Sequence, residues 1–336
     1  MQADDMLVLG AREVEGALHG REDEVIDAVR RAYEAQARGE TSLPHSSFLR
    51  FPDSEEDRII SLPAYLGDGF RLAGLKWIAS VPGNVRRGME RASAVVILND
   101  RDTGRPRAML EGSIISKQRT AASAALAARV LRGGRAPEAV GFVGCGPINA
   151  EVAHFLAVVW PEVPRFVVFD LDEARARRFG EGIAAGRPGA ELRVAASVEE
   201  VLAAAPLTAF GTTAIRPHVH DLSVCPPGAT LLHVSLRDLA PEAILAHHNV
   251  VDDLHHVNRA QTSIHLASEL AGNTDFVHGS LGEILLGMVE PPPHDGRIVI
   301  FSPFGLGTLD LAVADLVQRV AGGRGEGVRI PSFFPP

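Results

Sequence analysis

The stretch EAVGFVGCGPINA, residues 138–150, decides the fold of this chain. It begins with a short apolar run typical of a buried strand and continues into apolar sequence typical of a helix. Between the two, Gly144 permits a tight turn and Gly146 lets a pyrophosphate approach the amino end of the helix. The third position of the GxGxxG pattern is Asn149, which is a departure. The stretch predicts a cofactor-binding turn formed by Gly144, Gly146, Pro147, Ile148 and Asn149.

The sequence after this turn alternates between strand and helix patterns. Helices are predicted over 147–160, 172–185 and 198–205, and a last one over 307–323. The predicted strands are RFVVFD (165–170), ELRVAAS (191–197), PLTAFGTT (206–213), ATLLHVSL (229–236) and RIVIFSPFG (297–305). Such alternation is typical of βαβ units around a parallel sheet, so we expect an α/β chain with a Rossmann-type doubly wound domain.

Asp170 closes the second strand of this pattern, one βα unit after the glycine turn. A carboxylate at that position can accept hydrogen bonds from the ribose hydroxyls of a dinucleotide. Asp172 adds negative charge and no arginine follows immediately, so a 2′-phosphate would be repelled. The sequence therefore predicts NAD as the cofactor in preference to NADP.

The first third of the chain has a different pattern. A helix is predicted over 21–40, and β-like segments begin at 58, 71 and 93, the last leading through Gly104 into a hairpin. An Ala-rich helix then runs from Ser113 to Gly133. We predict an α+β substrate-binding and dimerisation domain, 1–125 with 309–336, and an NAD-binding Rossmann domain, 126–308.

Three polar residues of the first third are candidates for holding a substrate. Lys76 lies inside the apolar strand LAGLKWIAS, where a charge is costly unless it is paired or contacts a ligand. Arg119 is the only charge in RTAASAALAA, and its planar guanidinium suits a carboxylate. His45 lies in a loop-like segment. The ordinary alternatives are that Lys76 reaches solvent, that Arg119 pairs with Glu111, and that His45 is a plain loop residue.

Composition excludes several functional classes. The net charge of −9 disfavours a nucleic-acid or anionic-membrane partner, and no apolar run approaches the length of a membrane span. Only two cysteines occur, without CxxC spacing, so a disulfide scaffold or a cysteine zinc site is not expected. The acidic N-terminus does not resemble a signal peptide, and a cytoplasmic location is therefore predicted.

Several long segments resemble the ornithine cyclodeaminase/mu-crystallin family. They are LKW followed by a Pro-Gly pair, residues 92–128 with the RTAAS motif, HVSLRDLAPE (233–242) and SPFGLGTLDLAVADL (302–316). The resemblance covers nearly the whole chain. It implies that Lys76 and Arg119 bind the substrate carboxylate, and that Arg119 and Thr120 contact the cofactor. It also implies a homodimer formed through the N-terminal domain, to which the C-terminal helix returns.

Within the family, SLPHSSFLRFP (42–52), RIISLPAYLG (58–67) and GLKWIASVPGN (74–84) most resemble the N-(2-amino-2-carboxyethyl)-glutamate dehydrogenases. That likeness implies NAD-dependent release of L-2,3-diaminopropionate and 2-oxoglutarate, for siderophores or peptide natural products. Cyclodeaminases carry a catalytic aspartate after a Gly-Gly pair, where this chain has Ser235-Leu236-Arg237-Asp238. The departure disfavours ornithine cyclisation and suits a substrate with several carboxylates, which Arg237 could help to bind. Lys76 is a catalytic candidate, and the general base is either Asp238 or His45.

Other interpretations remain open at this point. Within the family, they are a cyclodeaminase, a ketimine reductase or an alanine dehydrogenase; outside enzymology, a crystallin-like protein that binds a nucleotide without turnover. The segment from Asp252 and Asp253 to His255 and His256 offers metal-ligand types, but neighbouring residues on one short segment rarely converge on one ion. His218 and His220 are no more convincing, so no metal is expected.

Overall fold

A computed structural model describes residues 5–335. The chain divides into two compact units, Met1–Arg119 with Leu306–Pro336 (the first unit) and Thr120–Gly305 (the second unit). The boundaries predicted from the sequence, at 125/126 and 308/309, lie a few residues further along the chain. One boundary, between Arg119 and Thr120, falls inside the predicted Ala-rich helix. Residues 1–4, on which part of the signal-peptide argument rests, lie outside the described residues.

The first part of the chain is rich in strands. Its elements, in chain order, are β1 (Met6–Leu9), α1 (Ala11–Leu18), α2 (Glu22–Ala37), β2 (Thr41–Ser42), β3 (Ser47–Phe51), β4 (Ser54–Leu66), β5 (Leu72–Ser80), a 3₁₀ helix (Pro82–Arg87), β6 (Ala92–Asn99), β7 (Pro106–Glu111) and α3 (Ser113–Leu131). The predicted hairpin is confirmed, because β6 and β7 pair antiparallel and Gly104 in the intervening turn has a φ of 71°.

The remaining elements alternate as the sequence predicts, with additional short ones. They are β8 (Val140–Val143), α4 (Pro147–Val159), β9 (Arg165–Phe169), α5 (Glu173–Gly186), β10 (Glu191–Val194), α6 (Val198–Ala204), β11 (Leu207–Phe210), β12 (Thr230–His233), α7 (Pro241–Leu245), β13 (His248–Val251), α8 (Leu254–Val257), α9 (Ser263–Ala271), β14 (Val277–Ser280), α10 (Leu281–Leu285), β15 (Val299–Ser302), α11 (Gly307–Gly323) and β16 (Val328–Ile330).

The sheet of the first unit has the strand order β16-β1-β7-β6-β5-β4-β2, with β3 also paired to β4. Strands β3 to β7 pair antiparallel, β1 joins β7 in parallel, and β16 closes the edge antiparallel to β1. Since side chains alternate between the faces of a strand, each strand contributes every second residue to the face that helix α11 covers.

Helix α11 lies close to the sheet because glycines make room for it. A Cβ atom on Gly74 would lie 2.7 Å from Cδ2 of Leu311, and one on Gly307 would lie 3.0 Å from the carbonyl oxygen of Leu62. The first turn of α11 is therefore next to Leu62 on β4, and the helix runs from there across Gly74 on β5. This approach brings Asp310, in the first turns of α11, down onto the strand that carries Lys76.

The opposite face of the same sheet is apolar and half-exposed. Trp77, at 38% relative exposure, lies in register between Ser61 on β4 and Val95 on β6. The face also contains Pro63, Tyr65, Leu75, Ile97 and Met109, all partly exposed. By contrast, Leu66, Leu72 and Leu98, on the α11 side, are buried. A soluble monomer rarely leaves a continuous apolar sheet face open to water.

The second unit is built on a parallel sheet in the order β10-β9-β8-β11-β12-β15-β13-β14. All of its strand pairs are parallel, which confirms the doubly wound α/β prediction. The strand order reverses at β8, and the glycine turn lies at the carboxyl end of that strand. Ligands of open α/β sheets bind outside the carboxyl ends of the strands at such a reversal.

Two further observations concern the whole described chain. No helix within residues 5–335 is both long and apolar enough to cross a lipid bilayer. Cys145 and Cys225 are free and buried, and burial raises the pKa of each thiol to about 12. Both side chains are therefore neutral, unreactive parts of the core at physiological pH.

Candidate functional site

The glycine turn has the geometry of a phosphate-binding site. Gly144 has a φ of 84°, and a Cβ there would lie 2.7 Å from the carbonyl oxygen of Gly211. Gly146 caps the amino end of α4, and no atom lies within 4 Å of the place where its Cβ would be. Pro147 opens the helix without needing an amide partner, and Ile148 is half-exposed. An anionic group can therefore approach the helix amides through open space.

Asn149 replaces the third glycine of the motif by bonding to the backbone. Its buried amide nitrogen donates to the carbonyl oxygens of Val143 at 3.1 Å and Gly144 at 2.7 Å, and to that of Ala209 at 3.3 Å. Room for this side chain comes from Gly211, whose Cβ would lie 2.7 Å from the Asn149 side chain. The close packing that a third glycine would allow is thus obtained from a glycine on the neighbouring strand.

Asp170 lies beside the glycine turn. One of its carboxylate oxygens accepts from the amide of Cys145 at 2.8 Å, and the other accepts from the amide of Asp172 at 2.9 Å. Arg175 is also close, 3.7 Å from Asp170 and 3.8 Å from Asp172. No arginine follows Asp170 immediately in the sequence, but the first turn of α5 brings Arg175 back to the two carboxylates. The half-exposed guanidinium of Arg175 therefore reduces the electrostatic repulsion expected between these carboxylates and a 2′-phosphate.

A second cluster lies in the first unit, where α11 and α3 meet strand β5. The carboxylate of Asp310 forms ion pairs with Lys76 Nζ at 2.8 Å and with Arg119 Nε at 3.1 Å. Lys76 also donates to Ser116 Oγ at 3.0 Å. All three charged residues are buried, with relative exposures of 2% for Lys76, 8% for Arg119 and 0% for Asp310. Arg119 therefore does not pair with Glu111, as one alternative held; Glu111 instead accepts from the amides of Ser113 and Ile114 at the start of α3.

The charges of this cluster do not cancel. Two cations share one carboxylate, so the buried group carries a net positive charge when Lys76 is protonated. Burial and the neighbouring Arg119 lower the pKa of Lys76 to about 8, and Asp310 opposes both effects. An anionic ligand would stabilise the protonated amine in the same way. The arrangement can bind a carboxylate, and it can release a proton near neutral pH.

A third cluster surrounds Asp238 in the second unit. Its buried carboxylate accepts from the hydroxyls of Thr212 and Ser235, from His218 Nε2 at 3.1 Å, and lies 3.3 Å from His233 Nε2. Burial raises the pKa of Asp238, but hydrogen bonds from His218, His233 and Ser235 outweigh it and hold the pKa well below its usual range. Asp238 is therefore a fixed carboxylate and a weak base.

His218 is the member of this cluster with a proton to exchange. Its hydrogen bond to Asp238 raises the pKa of the imidazole, and its side chain is 41% exposed. Asp238 adjoins the cofactor turn through Thr212, whose Cα lies 3.2 Å from the place of a Cβ on Gly144. A carboxylate that orients a half-exposed imidazole is a common acid–base arrangement in enzymes.

The other predicted site residues lie apart from these clusters. Arg237 is half-buried and donates to the carbonyl oxygen of Ala260 at 2.8 Å, and burial lowers its pKa. His45 is exposed, between β2 and β3. Thr120 is half-buried on α3, directly after Arg119.

Asp252 and Asp253, which were considered as metal ligands, accept hydrogen bonds from backbone amides. Asp252 accepts from the amides of Phe304 at 2.9 Å and Gly305 at 2.7 Å, and burial raises its pKa to about 6 against those hydrogen bonds. Asp253 caps α8 and contacts Nδ1 of His256. Within the described residues no three His, Cys, Asp or Glu side chains are grouped to hold a metal ion.

Three important residues were not identified from the sequence. Asp310 could have been found, since it is a lone charge among apolar residues in TLDLAV, the same signal that singled out Lys76. Gly211 and His218 gave no such signal. Gly211 matters only because it faces Asn149, and His218 only because it contacts Asp238.

Comparison with known proteins settles the family. The model of the ornithine cyclodeaminase/mu-crystallin family matches residues 5–324. The chain belongs to this family. The fold, the glycine turn and the buried Lys76 cluster described above are therefore those of a family member, as the RTAAS and SPFGLGTLDLAVADL segments indicated.

Several proteins to which the chain is similar are enzymes of amino-acid oxidation and reduction. The N-((2S)-2-amino-2-carboxyethyl)-L-glutamate dehydrogenase of Staphylococcus aureus is 28% identical over 94% of this chain and 96% of its own length. The alanine dehydrogenase of Archaeoglobus fulgidus is 28% identical over 98% of this chain and 99% of its own length. A solved archaeal alanine dehydrogenase dimer with bound NAD is 28% identical, with a TM-score of 0.88, covering 98% of this chain and 100% of that one. The chain is accordingly an oxidoreductase of the family.

The first prediction concerns Asp310. Asp310→Asn removes the anion between two buried cations while preserving shape, so we expect a loss of about 3–5 kcal/mol in the free energy of unfolding. Asp315→Asn, on the same helix, breaks partly exposed contacts with Arg319 and Arg107 and should cost about 0–1 kcal/mol. Urea unfolding of both variants measures the difference. Equal losses would mean that Asp310 does not hold the cluster together.

Proposed function

We propose that this family member oxidises the glutamate carbon–nitrogen bond of N-((2S)-2-amino-2-carboxyethyl)-L-glutamate with NAD, and releases L-2,3-diaminopropionate and 2-oxoglutarate. The unit Thr120–Gly305 binds the cofactor, and the unit that contains Lys76 binds the substrate. The released diamino acid would serve siderophore or peptide natural-product synthesis. The proposal is supported by the similarity to the Staphylococcus aureus enzyme and by the segments that resemble its branch.

The observation that carries the proposal is the buried net positive charge at Lys76, Arg119 and Asp310. A buried charge without a full complement is destabilising, and a substrate carboxylate would complete it. Arg119 contacts Asp310 through its Nε, and a substrate carboxylate would be bound by the terminal nitrogens of the guanidinium. The α-carboxylate of an amino acid is the group that this cluster is suited to hold.

NAD fits the residues of the second unit. The open space above Gly146 would accommodate a pyrophosphate, and Asp170, beside the glycine turn, would accept from a ribose hydroxyl. When bound, NAD supplies the acceptor for the hydride that leaves the α-carbon of the glutamate moiety. The chain itself contributes the turn that orients the dinucleotide and the charges that orient the substrate.

The reaction balances as an oxidation followed by hydrolysis. Loss of hydride from the α-carbon and of a proton from the secondary amine leaves an imine. Water adds to the imine carbon, and the carbon–nitrogen bond then breaks to give the 2-oxoacid and the free amine. We assign the proton transfers to His218, which Asp238 orients, because Asp238 itself is a weak base. His45, which is exposed between β2 and β3, is the alternative base.

Turnover on a substrate panel tests the function. The N-substituted glutamate, L-alanine and L-ornithine should be compared for NADH formation, with products identified by mass spectrometry. We expect the N-substituted glutamate to give 2-oxoglutarate and L-2,3-diaminopropionate with the highest kcat/KM. The similarity to alanine dehydrogenase makes alanine the competing substrate, and a higher kcat/KM for alanine would replace the proposal.

In the same assay, Lys76→Ala and Arg119→Ala should each lower kcat/KM by roughly ten- to a hundredfold, since a charge-assisted hydrogen bond contributes about 1.5–3 kcal/mol. Arg119→Lys should be impaired as well, because an ammonium cannot reproduce the planar guanidinium. NADH binding by fluorescence and thermal melts serve as controls for folding. Near-normal kinetics in both alanine variants would remove this substrate site.

Cofactor choice gives a further prediction. NAD should be preferred to NADP, and Asp170→Asn should narrow the preference, because the carboxylate that repels a 2′-phosphate is lost while Arg175 remains. Arg175→Ala should widen the preference. The measurement is the ratio of kcat/KM values for the two cofactors in each variant. A native enzyme that prefers NADP would contradict the role given to Asp170.

We also propose that the chain forms a homodimer through the apolar sheet face that contains Trp77. Seven half-exposed apolar residues of β4 to β7 adjoin one another on that face: Pro63, Tyr65, Leu75, Trp77, Val95, Ile97 and Met109. A second copy with the same apolar face would bury it symmetrically. The similar archaeal alanine dehydrogenase is a dimer.

Light scattering with matched variants tests the dimer. Trp77→Glu would place a charge in the proposed interface and should shift the protein to monomers at micromolar concentration. Leu270→Glu makes the same kind of change at an exposed apolar residue of α9, away from that face, and should leave the dimer intact. A monomeric native protein, or a dimer that survives Trp77→Glu, would show that this face is not the interface.

A further inference from the structure

The sheet face that carries Lys76 extends beyond the part that α11 covers. Lys76 pairs in register with Leu62, and the next residues on the same face are Ile78 and Ile60. These two are half-exposed, whereas Leu66 and Leu72, under the helix, are buried. Because α11 begins beside Leu62 and runs the other way, its amino end faces this open part of the sheet.

The following row on this face is cationic. Arg58 on β4 lies in register with Ser80 at the end of β5, and Arg50 on β3 lies in register with Arg58 on its other side. Since opposed residues of antiparallel strands share a face, both arginines occupy the face of Lys76. Two neighbouring guanidiniums on one face create a positive potential that favours an anion.

Ser80 adds an independent observation. Its residue is only 8% exposed, and within residues 5–335 its hydroxyl has no hydrogen-bond partner. A buried hydroxyl without a partner is destabilising, so such groups in proteins are usually satisfied by a bound molecule or by water. Thr308, in the first turn of α11, is also buried and its hydroxyl is likewise without a partner among the described residues.

We propose that Arg58 and Ser80 form a second carboxylate subsite, which binds the side-chain carboxylate of the glutamate moiety while Lys76 and Arg119 bind its α-carboxylate. This inference rests on the proposed function. Lys76 and Ser80 are four residues apart on one strand, so their Cα atoms are separated by about 13 Å. For a five-carbon diacid to bridge the two groups, the long side chain of Arg58 must extend along the face toward Lys76, past the half-exposed Ile60. The subsite would select glutamate-derived substrates over alanine.

The subsite is tested by changing the side-chain carboxylate of the substrate and Arg58 of the protein, separately and together. The N-substituted glutamate is compared with the analogue in which the side-chain carboxylate is a carboxamide. The native enzyme should prefer the carboxylate by roughly ten- to a hundredfold in kcat/KM. Arg58→Gln should lose most of that preference, mainly through KM, while the carboxamide is turned over at a similar rate by both enzymes. An Arg58→Gln enzyme that keeps the full preference would overturn the proposal.

Binding of the product diacid, 2-oxoglutarate, tests the second carboxylate subsite independently of turnover. Calorimetry with NADH present should show 2-oxoglutarate binding roughly tenfold or more tightly than 2-oxopentanoate, which lacks the second carboxylate. Arg58→Gln should remove the difference, and Arg12→Ala, at an exposed arginine of α1, should not. If the two acids bind the native protein equally, the subsite is wrong even where turnover is observed. If only turnover fails, the proposed reaction is wrong and the subsite stands.

Ser80→Ala distinguishes a ligand contact from a structural one. Removal of a buried hydroxyl that has no partner should leave the melting temperature unchanged or slightly higher. Affinity for 2-oxoglutarate should nevertheless fall severalfold, with that for 2-oxopentanoate unchanged. A lower melting temperature with unchanged affinity for both acids would make Ser80 a structural residue and leave the subsite without its hydroxyl.

Discussion

The carboxylate of Asp310 is the anion on which the two buried cations of the first unit, Lys76 and Arg119, depend. It joins three elements that are far apart in the chain, since Lys76 comes from a strand, Arg119 from α3 and Asp310 from the last helix. Without it, two cations would be buried side by side at a cost of several kcal/mol. With it they are held in place but not neutralised. The cluster is therefore a structural joint that keeps a net positive charge when Lys76 is protonated.

The packing around Asp310 depends on two nearby glycines, which have no side chain. Gly74 and Gly307 favour the close approach of α11 to the sheet, because a Cβ would lie 2.7 Å from Cδ2 of Leu311 at Gly74 and 3.0 Å from the carbonyl oxygen of Leu62 at Gly307. The low relative exposures of the three charges follow from this approach. Burial in turn lowers the pKa of Lys76 to about 8, so a packing feature of two glycines sets the protonation behaviour of the amine.

The sequence predicted the parts that depend on local pattern. The strand before Gly144, the hairpin at Gly104 and the Ala-rich helix all have periodicity or turn residues of their own, and all are present. The partner of Arg119 could not be predicted that way, because Glu111 is near in sequence but accepts from the backbone at the start of α3. Short elements such as β3 and β13 were missed for a related reason. Their stability comes from neighbouring strands and leaves little mark on their own residues.

The turn that precedes Asp238 is where the sequence departs from the Gly-Gly pattern of the cyclodeaminases that it resembles. Where the resemblance places a Gly-Gly pair, Leu236 has a φ of 68°, a left-handed conformation that costs a leucine about 1–2 kcal/mol. Such strain persists only when its surroundings over-determine it. Here Leu236 is buried, the carboxylate of Asp238 is fixed by the hydroxyls of Thr212 and Ser235 and by His218, and the backbone amide of Asp238 donates to His233 Nε2 at 3.1 Å. The hydrogen bonds that hold Asp238 in a strained turn are also those that orient His218. In this arrangement the half-exposed imidazole of His218, rather than the buried carboxylate, is the group available to exchange a proton.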